Sequence, residues 1–184
     1  MVTLPCNMRV LSICGSLQQK SSNRTLLQAA QRLAPKGMEV RFYDGLRELP
    51  HFNPDLEQSE PLPGVAALRA AVSSSDALLI ASPEYGHSLP GALKNAIDWL
   101  IGTGELEGKL VAITCAVPAI ERGRLGLQAL ADTLGAVSAR IAFAAPIVRG
   151  PTLEAEVAGV LRTLLALQLE AQAVSPSSPQ HNGG

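Results

Sequence analysis

The chain has few of the residues that build metal sites or disulfide frameworks. Its 184 residues include three cysteines and three histidines, and none of them stands at the short spacings typical of zinc ligands. An odd and sparse set of cysteines does not form a disulfide framework, and it favours the reducing conditions of the cytoplasm. We therefore expect no bound metal, no disulfide bonds and a cytoplasmic location.

An excess of charge of either sign is also missing. Lys and Arg number 15 and Asp and Glu number 16, for a net charge of -1. Proteins that bind nucleic acid present a basic patch, and helices that lie on membranes need a basic amphipathic face. The sequence has neither, and no apolar run approaches the roughly 20 residues that span a bilayer. We expect neither nucleic acid nor a membrane as a partner.

What remains is a globular composition. Hydrophobic residues make up 47% and charged residues 17% of a chain whose length suits one domain. We expect this domain to cover residues 1–172. Residues 173–184 are polar and rich in Pro, Ser and Gly, which predicts a disordered tail.

Short apolar runs alternate with segments of helical periodicity along the chain. The predicted strands cover residues 8–15, 38–44, 76–83, 108–116 and 140–148. The predicted helices cover residues 22–34, 65–75, 90–102, 122–136 and 151–172. Between the second strand and the next helix, residues 45–64 are polar with four prolines, which predicts a long surface connection.

Strands that are apolar throughout are typical of a parallel sheet buried on both faces. The alternation therefore predicts an α/β three-layer sandwich with a five-stranded parallel sheet. With five strands we expect the flavodoxin-like order 2-1-3-4-5. Such sheets bind ligands at the carboxyl ends of their strands, where the winding reverses beside strand one. This rule points to the loops after strands one and three.

The loop after strand one, residues 15–25, reads GSLQQKSSNRT. It is not a P-loop, because Lys20 stands where the second glycine is required, and it lacks the repeated glycines of a dinucleotide loop. Its hydroxyl and amide groups lead into a helix N-terminus, where unpaired N–H groups and the helix dipole favour an anion. We expect a single terminal phosphate here. The alternative is that Ser22 or Asn23 only caps the helix.

The loop after strand three belongs to the stretch SPEYGHSLPGALKNAIDWL, residues 82–100. Pro83 ends the strand, and the next three residues form a short turn with exposed backbone. Apolar residues then recur at helical spacing, with Lys94, Asn95 and Asp98 on the other side of the helix. A proline-bounded turn into an amphipathic helix explains the helix, but not the polar turn at the ligand edge of the sheet.

Together the two stretches resemble the NADPH-dependent FMN reductase family. Its members read G-S-x-R-x-x-S-x-N in the first loop and P-E-Y-N-x-S-x-P-G-x-L-K-N-A-I-D-W in the second, and the resemblance covers roughly residues 8–170. It implies a flavodoxin-like fold, bound FMN, and reduction by NADPH or NADH. Homodimers or homotetramers are common in the family, and Tyr85 and the apolar face around Trp99 are candidate subunit contacts.

The resemblance assigns the first loop to the FMN phosphate and the second to the isoalloxazine ring. Gln18 stands where the family has arginine, and Gly86 stands where it has asparagine. His87 is a candidate hydrogen-bonding partner of a substrate or a solvated loop residue, and Thr114 and Cys115 are candidates for the ring edge. The candidate cofactor-binding residues are Ser16, Gln18, Ser21, Ser22, Asn23, Pro83, Glu84, Tyr85, Gly86 and His87. We expect no residue to act as a catalytic acid or base.

The function that the resemblance implies is hydride transfer from NAD(P)H through flavin N5 to a second acceptor. The acceptors implied are free flavin, a quinone, an azo compound or a metal oxyanion. One alternative is a flavodoxin-like electron carrier, although such carriers tend to be acidic and rich in aromatics, and this chain is 3% aromatic. Another is a flavodoxin-fold binding protein without a cofactor, which the differences at Gln18 and in the loop after strand four keep open.

Overall fold

The computed structural model describes residues 7–59 and 62–174, and within them five strands form one sheet. The strands are β1 (Met8–Cys14), β2 (Met38–Tyr43), β3 (Ala77–Ala81), β4 (Leu110–Val117) and β5 (Arg140–Val148). Every neighbouring pair is parallel, and the order across the sheet is 2-1-3-4-5. The predicted fold class and strand order are confirmed.

Helices cover both faces of the sheet. They are α1 (Ser22–Arg32), α2 (Pro54–Ser59), α3 (Pro63–Ser73), α4 (Gly91–Asp98), α5 (Arg124–Ala136) and α6 (Leu153–Val174). The apolar faces of α1 and α6 pack on one side, and those of α3, α4 and α5 pack on the other. All five residues of β3 are buried, because side chains on both of its faces meet a helical layer.

The connection between β2 and α3, predicted as a long surface connection over residues 45–64, lies mostly at the surface in its described residues but is not a plain loop. It contains a 3₁₀ turn (Leu46–Glu48) and α2, and the side chains of Leu46 and Leu49 are buried in the core. Two leucines three residues apart among prolines and charges are too weak a pattern to reveal a buried turn.

The side chain of Asn95 fastens this connection to α4. It donates a hydrogen bond to the Pro50 carbonyl at 2.9 Å and accepts one from the Phe52 N–H at 2.7 Å. The Trp99 indole donates to the same carbonyl at 2.8 Å and meets the Phe52 ring edge-on, with centroids 5.0 Å apart. Trp99 is fully buried in the protomer. Trp99 itself is therefore not available for a contact with another subunit, and the expectation for the rest of this face stays a prediction.

The last helix, α6, runs two residues past its predicted end. Ala173 and Val174 are helical, because no proline lies between the start of the helix and Pro176 and nothing in the sequence ends the helix at Gln172. The rest of the predicted tail lies outside the described residues. Among the residues described, α6 is the one helix long and apolar enough to cross a membrane by length and composition. One face of the helix packs on the sheet through Val157, Val160, Leu161 and Leu164.

We predict that Asn95→Ala lowers the free energy of unfolding by about 2 kcal/mol, because it leaves the Phe52 N–H and one bond of the Pro50 carbonyl without a partner. Urea denaturation measures the change. Lys94→Ala is the matched control on the same helix. It removes an exposed ion pair with Asp98 and should cost less than about 0.5 kcal/mol. Equal losses in the two variants would contradict the role given to Asn95.

Candidate functional site

The loops after β1 and β3 leave the sheet side by side at its carboxyl edge. The Gly15 N–H donates to the Ala81 carbonyl at 2.9 Å, and the Ser82 N–H donates to the Thr114 carbonyl at 2.9 Å. A Cβ atom at Gly15 would lie 2.9 Å from the Ser82 hydroxyl oxygen and 3.1 Å from a methyl group of Leu93. Gly15 therefore allows the first loop to lie directly against the second.

The N-terminus of α1 opens from the first loop without a side-chain cap. Ser21 is the N-cap residue, with the extended φ of -103° and ψ of 133°, and its hydroxyl makes no capping hydrogen bond. The first intrahelical bond runs from the Thr25 N–H to the Ser21 carbonyl. The N–H groups of Ser22, Asn23 and Arg24 therefore have no intrahelical acceptor. The alternative that Ser22 or Asn23 serves only as the cap is wrong.

Asn23 ties this helix end to β4. Its side chain is 5% exposed, and its Oδ1 accepts a hydrogen bond from the Ala116 N–H at 2.7 Å. The Asn23 side chain thus fixes the direction in which the helix points. Its own backbone N–H remains free of an intrahelical partner.

Hydroxyl groups line the loop below the helix end. Ser16 and Ser21 are buried, and the Ser16 hydroxyl accepts a hydrogen bond from the Gln18 N–H at 3.1 Å. Burial raises the pKa of the neighbouring Cys14 thiol, and hydrogen bonds from the Ser16 backbone and the Ser21 hydroxyl offset part of that rise. A thiol kept neutral in this way is a packing group. Gln18 is exposed and Ser22 is partly buried.

Two arginines beside the first loop are already engaged. Arg24 makes two hydrogen bonds to the Asp44 carboxylate, at 3.0 and 3.1 Å, and lies over the Phe42 ring at 4.5 Å. Arg47 donates to the Leu17 carbonyl at 2.8 Å. A third arginine, Arg149, follows β5 and reaches the Ser22 hydroxyl at 3.3 Å. The sequence carries no local signal that places Arg149 here.

The second loop is a tight hairpin turn. Tyr85 and Ser88 exchange both backbone hydrogen bonds, at 2.9 and 3.0 Å, and the residues between them have positive φ values, 57° for Gly86 and 60° for His87. This is the arrangement of a type I′ turn. The N–H groups of Gly86 and His87 have no acceptor within the described part of the chain, and the Tyr85 side chain is 54% exposed. The turn therefore presents backbone donors and an aromatic ring at the edge of the sheet.

Glu84 holds the turn against α5. Its carboxylate accepts a hydrogen bond from the Gly126 N–H at 2.9 Å and lies 3.3 Å from the His87 Nδ1. A Cβ at Gly126 would come within 2.9 Å of the Glu84 Cβ, so glycine permits this approach. The Gly126 N–H and then the His87 imidazole lower the pKa of Glu84. The carboxylate supplies the N-terminal cap that Gly123, the N-cap residue of α5, does not provide.

The end of β4 differs from the expectation for Thr114 and Cys115. Both side chains are buried, and the Thr114 hydroxyl donates to the Ala145 carbonyl at 2.8 Å. Burial raises the pKa of the Cys115 thiol to about 11. Neither residue reaches the open edge, so neither is placed to touch a ring there. The loop that follows β4 instead exposes Ile120.

Comparison with known proteins identifies the family of the chain. The model of the NADPH-dependent FMN reductase family matches residues 8–150, a range that contains both loops and the end of β5. The chain belongs to this family.

Two individual proteins that are similar to the chain in sequence are named as reductases. The chain is 37% identical over 109 residues to a quinone reductase of Escherichia coli K12, which is 58% of each chain. It is 39% identical over 122 residues to an NAD(P)H-dependent FMN reductase of Pseudomonas aeruginosa, over 65% of this chain and 63% of that one. The matched part therefore spans about three fifths of the length of these curated relatives.

Solved structures agree on the fold. The flavoenzyme NAD(P)H:(acceptor) oxidoreductase FerB from Paracoccus denitrificans superposes with a TM-score of 0.76 at 27% identity, over 89% of this chain and 98% of that one. Flavodoxin 1 from Bacillus cereus superposes with a TM-score of 0.60 at 10% identity, over 86% and 97%. The second likeness shows the fold alone.

The residues at this edge fit the FMN that the family name implies. The uncapped end of α1 offers three N–H groups and the Ser22 hydroxyl to a phosphate. The turn at Gly86 and His87 offers two further N–H groups to the polar edge of a ring. The departure at Gly86 does not disturb this turn, since glycine adopts a positive φ as readily as the family's asparagine.

We predict that Glu84→Gln lowers the melting temperature at pH 7, because the neutral amide is a weaker acceptor than the carboxylate at the end of α5. The pKa of Glu84 is lowered in the folded protein. The decrease in melting temperature should therefore have its full size above the unfolded pKa of about 4.3. The difference in melting temperature between the two proteins should shrink as the pH falls through the folded pKa of Glu84. Melting curves between pH 7 and pH 3 test this. A pH-independent difference, or an equal loss in Glu121→Gln as control, would contradict it.

We also predict that Gly86→Asn is tolerated better than Gly86→Val, with a free energy of unfolding at least about 1 kcal/mol higher. No atom lies within 4 Å of a Cβ built at Gly86, so the difference reports backbone conformation and not packing. Chemical denaturation of the two variants measures it. Equal stability would mean that the left-handed turn is not maintained in solution.

Proposed function

We propose that the protein is an NAD(P)H-dependent FMN reductase that carries hydride from NAD(P)H through FMN to a small-molecule acceptor, with quinones as the preferred class. The observation that carries the proposal is the uncapped end of α1 at the carboxyl edge beside β1, within a chain of the FMN reductase family. The names of the Escherichia coli quinone reductase and of the NAD(P)H:quinone oxidoreductase of Solanum tuberosum, 44% identical over 95 residues, favour quinones.

Bound FMN supplies a ring nitrogen, N5, that accepts a hydride and passes it on. The protein's part is binding and placement. The N–H groups of Ser22, Asn23 and Arg24 would hold the phosphate, and those of Gly86 and His87 would be donors to the polar edge of the ring. Glu84 keeps the turn fixed, because its carboxylate is anchored to the Gly126 N–H. Nicotinamide gives up two electrons as hydride, the quinone takes them, and solvent supplies the proton that completes the hydroquinone.

No acid–base side chain is needed for this sequence of steps. The exposed Tyr85 in the turn and the exposed Ile120 in the loop after β4 give apolar surface at the carboxyl edge of the sheet, which suits planar substrates that bind there one after the other. His87 is 79% exposed at its side chain and stays a candidate contact of the second substrate. The cytoplasmic location, and a homodimer or homotetramer with Tyr85 at its contact, stay predictions.

Purified protein reconstituted with FMN tests the proposal. We expect stoichiometric FMN, and oxidation of NADPH or NADH that depends on both the protein and an added benzoquinone, with free FMN alone as the control. Bound FMN without turnover with either nucleotide would favour an electron carrier. A protein that binds no added FMN would favour a cofactor-free binding module and overturn the proposal.

The acceptors are ranked by replacing the quinone in turn with excess FMN, an azo dye or chromate. The quinone should give the highest kcat/KM under identical conditions. A higher value for any other acceptor would overturn the preference for quinones while leaving the reductase intact.

A further inference from the structure

A phosphate monoester bound at the end of α1 would need a positive charge nearby, and the first loop itself carries only Lys20, which is exposed, and Arg24. Such a group carries between one and two negative charges at neutral pH. The family places an arginine at position 18, and this chain has Gln18, whose side chain is neutral and exposed. Arg24 is engaged with Asp44 through two hydrogen bonds, so its charge is largely offset. Arg47 donates to the Leu17 carbonyl of the loop at 2.8 Å.

Arg149 lies on the other side of the same helix end. Its guanidinium nitrogen is 3.3 Å from the Ser22 hydroxyl oxygen. Ser22 is the first residue of α1 and contributes one of the free N–H groups. Within the described residues, no carboxylate lies within ion-pair distance of the Arg149 side chain. Its positive charge is therefore available to an anion seated at the end of α1.

The backbone holds Arg149 at this place. Its N–H donates to the Val117 carbonyl at 2.8 Å, which continues the pairing of β5 with β4 by one residue. The neighbouring Ala116 N–H is in turn bonded to the Asn23 side chain. The backbone of Arg149 and the first turn of α1 are thus each hydrogen-bonded to the end of β4, which fixes their relative position.

We propose that Arg149 supplies the cationic contact to the FMN phosphate that position 18 does not provide in this chain. The inference rests on the proposed function, since it assumes that FMN is the ligand. It assigns a new binding residue, contributed from the end of β5 instead of the first loop. Arginine suits this task because its planar guanidinium can bond a phosphate oxygen and the Ser22 hydroxyl together.

The test compares FMN with riboflavin, which has the same ring but no phosphate. Flavin dissociation constants, measured by fluorescence quenching in apo-protein at low salt, should rise roughly five- to tenfold for FMN in Arg149→Ala, the range for a partly solvated charged contact. The constant for riboflavin should stay within about twofold of that of the unaltered protein. The difference between the two proteins should shrink as salt is added.

Arg140→Ala is the matched control. Arg140 is an exposed arginine at the first position of the same strand, at the opposite edge of the sheet. Its removal changes the net charge equally and should leave the dissociation constants of both flavins unchanged. Circular dichroism melting curves confirm that each variant is folded before binding is measured.

A second variant tests directly whether an arginine at position 18 can replace Arg149. Gln18→Arg restores the family's residue, and in the Arg149→Ala background it should recover at least half of the lost FMN affinity on a logarithmic scale. No recovery would mean that the two positions do not serve the same phosphate, and would overturn the inference.

Other outcomes separate the two proposals. If FMN binds Arg149→Ala as tightly as the unaltered protein, the inference fails and the proposed function stands. Equal weakening of FMN and riboflavin would show that Arg149 acts on the fold or the ring, and would also overturn the inference. A larger loss of FMN affinity in Lys20→Ala than in Arg149→Ala would assign the contact to the loop lysine. An unaltered protein that binds no FMN would overturn both.

Discussion

The hydrogen bond between the Asn23 side chain and the Ala116 N–H is the constraint on which the site depends. It joins the first turn of α1 to the end of β4, across the strand pair where the winding of the sheet reverses. Without it, the first turn of α1 would lose its hydrogen bond to β4, and the Ala116 N–H would lose its acceptor. Removing a buried acceptor of this kind also leaves a backbone donor unpaired, at a cost of about 1–3 kcal/mol.

In both stretches that carry the family resemblance, polar side chains hold the backbone in place and backbone groups remain free to bind a ligand. Asn23, Glu84 and Asn95 all belong to the stretches that carry the family resemblance, yet each side chain bonds another segment of this chain. These side chains brace the edge of the sheet, and the groups left facing outward are mainly backbone N–H donors and hydroxyls. Rigid donors of this type need no reorganisation when an anion or a polar ring arrives.

The fold could be predicted because its signal is local. Strands such as β3 are apolar throughout, helices separate them, and parallel pairing in one order then follows from few alternatives. The helix end at Ser22 was visible for the same reason. Arg149 was not, since it lies 127 residues from Ser22 along the chain and meets it only through the pairing of β5 with β4. The burial of Trp99 likewise depends on a distant segment around Pro50.

The central claim is that the end of α1 is a phosphate seat beside β1. A crystal structure of the protein grown with FMN tests it most directly. The account predicts phosphate oxygens within about 3 Å of the N–H groups of Ser22 and Asn23, with the ring against the turn at Gly86. A phosphate bound elsewhere on the protein, with the N–H groups of α1 left to solvent, would contradict it.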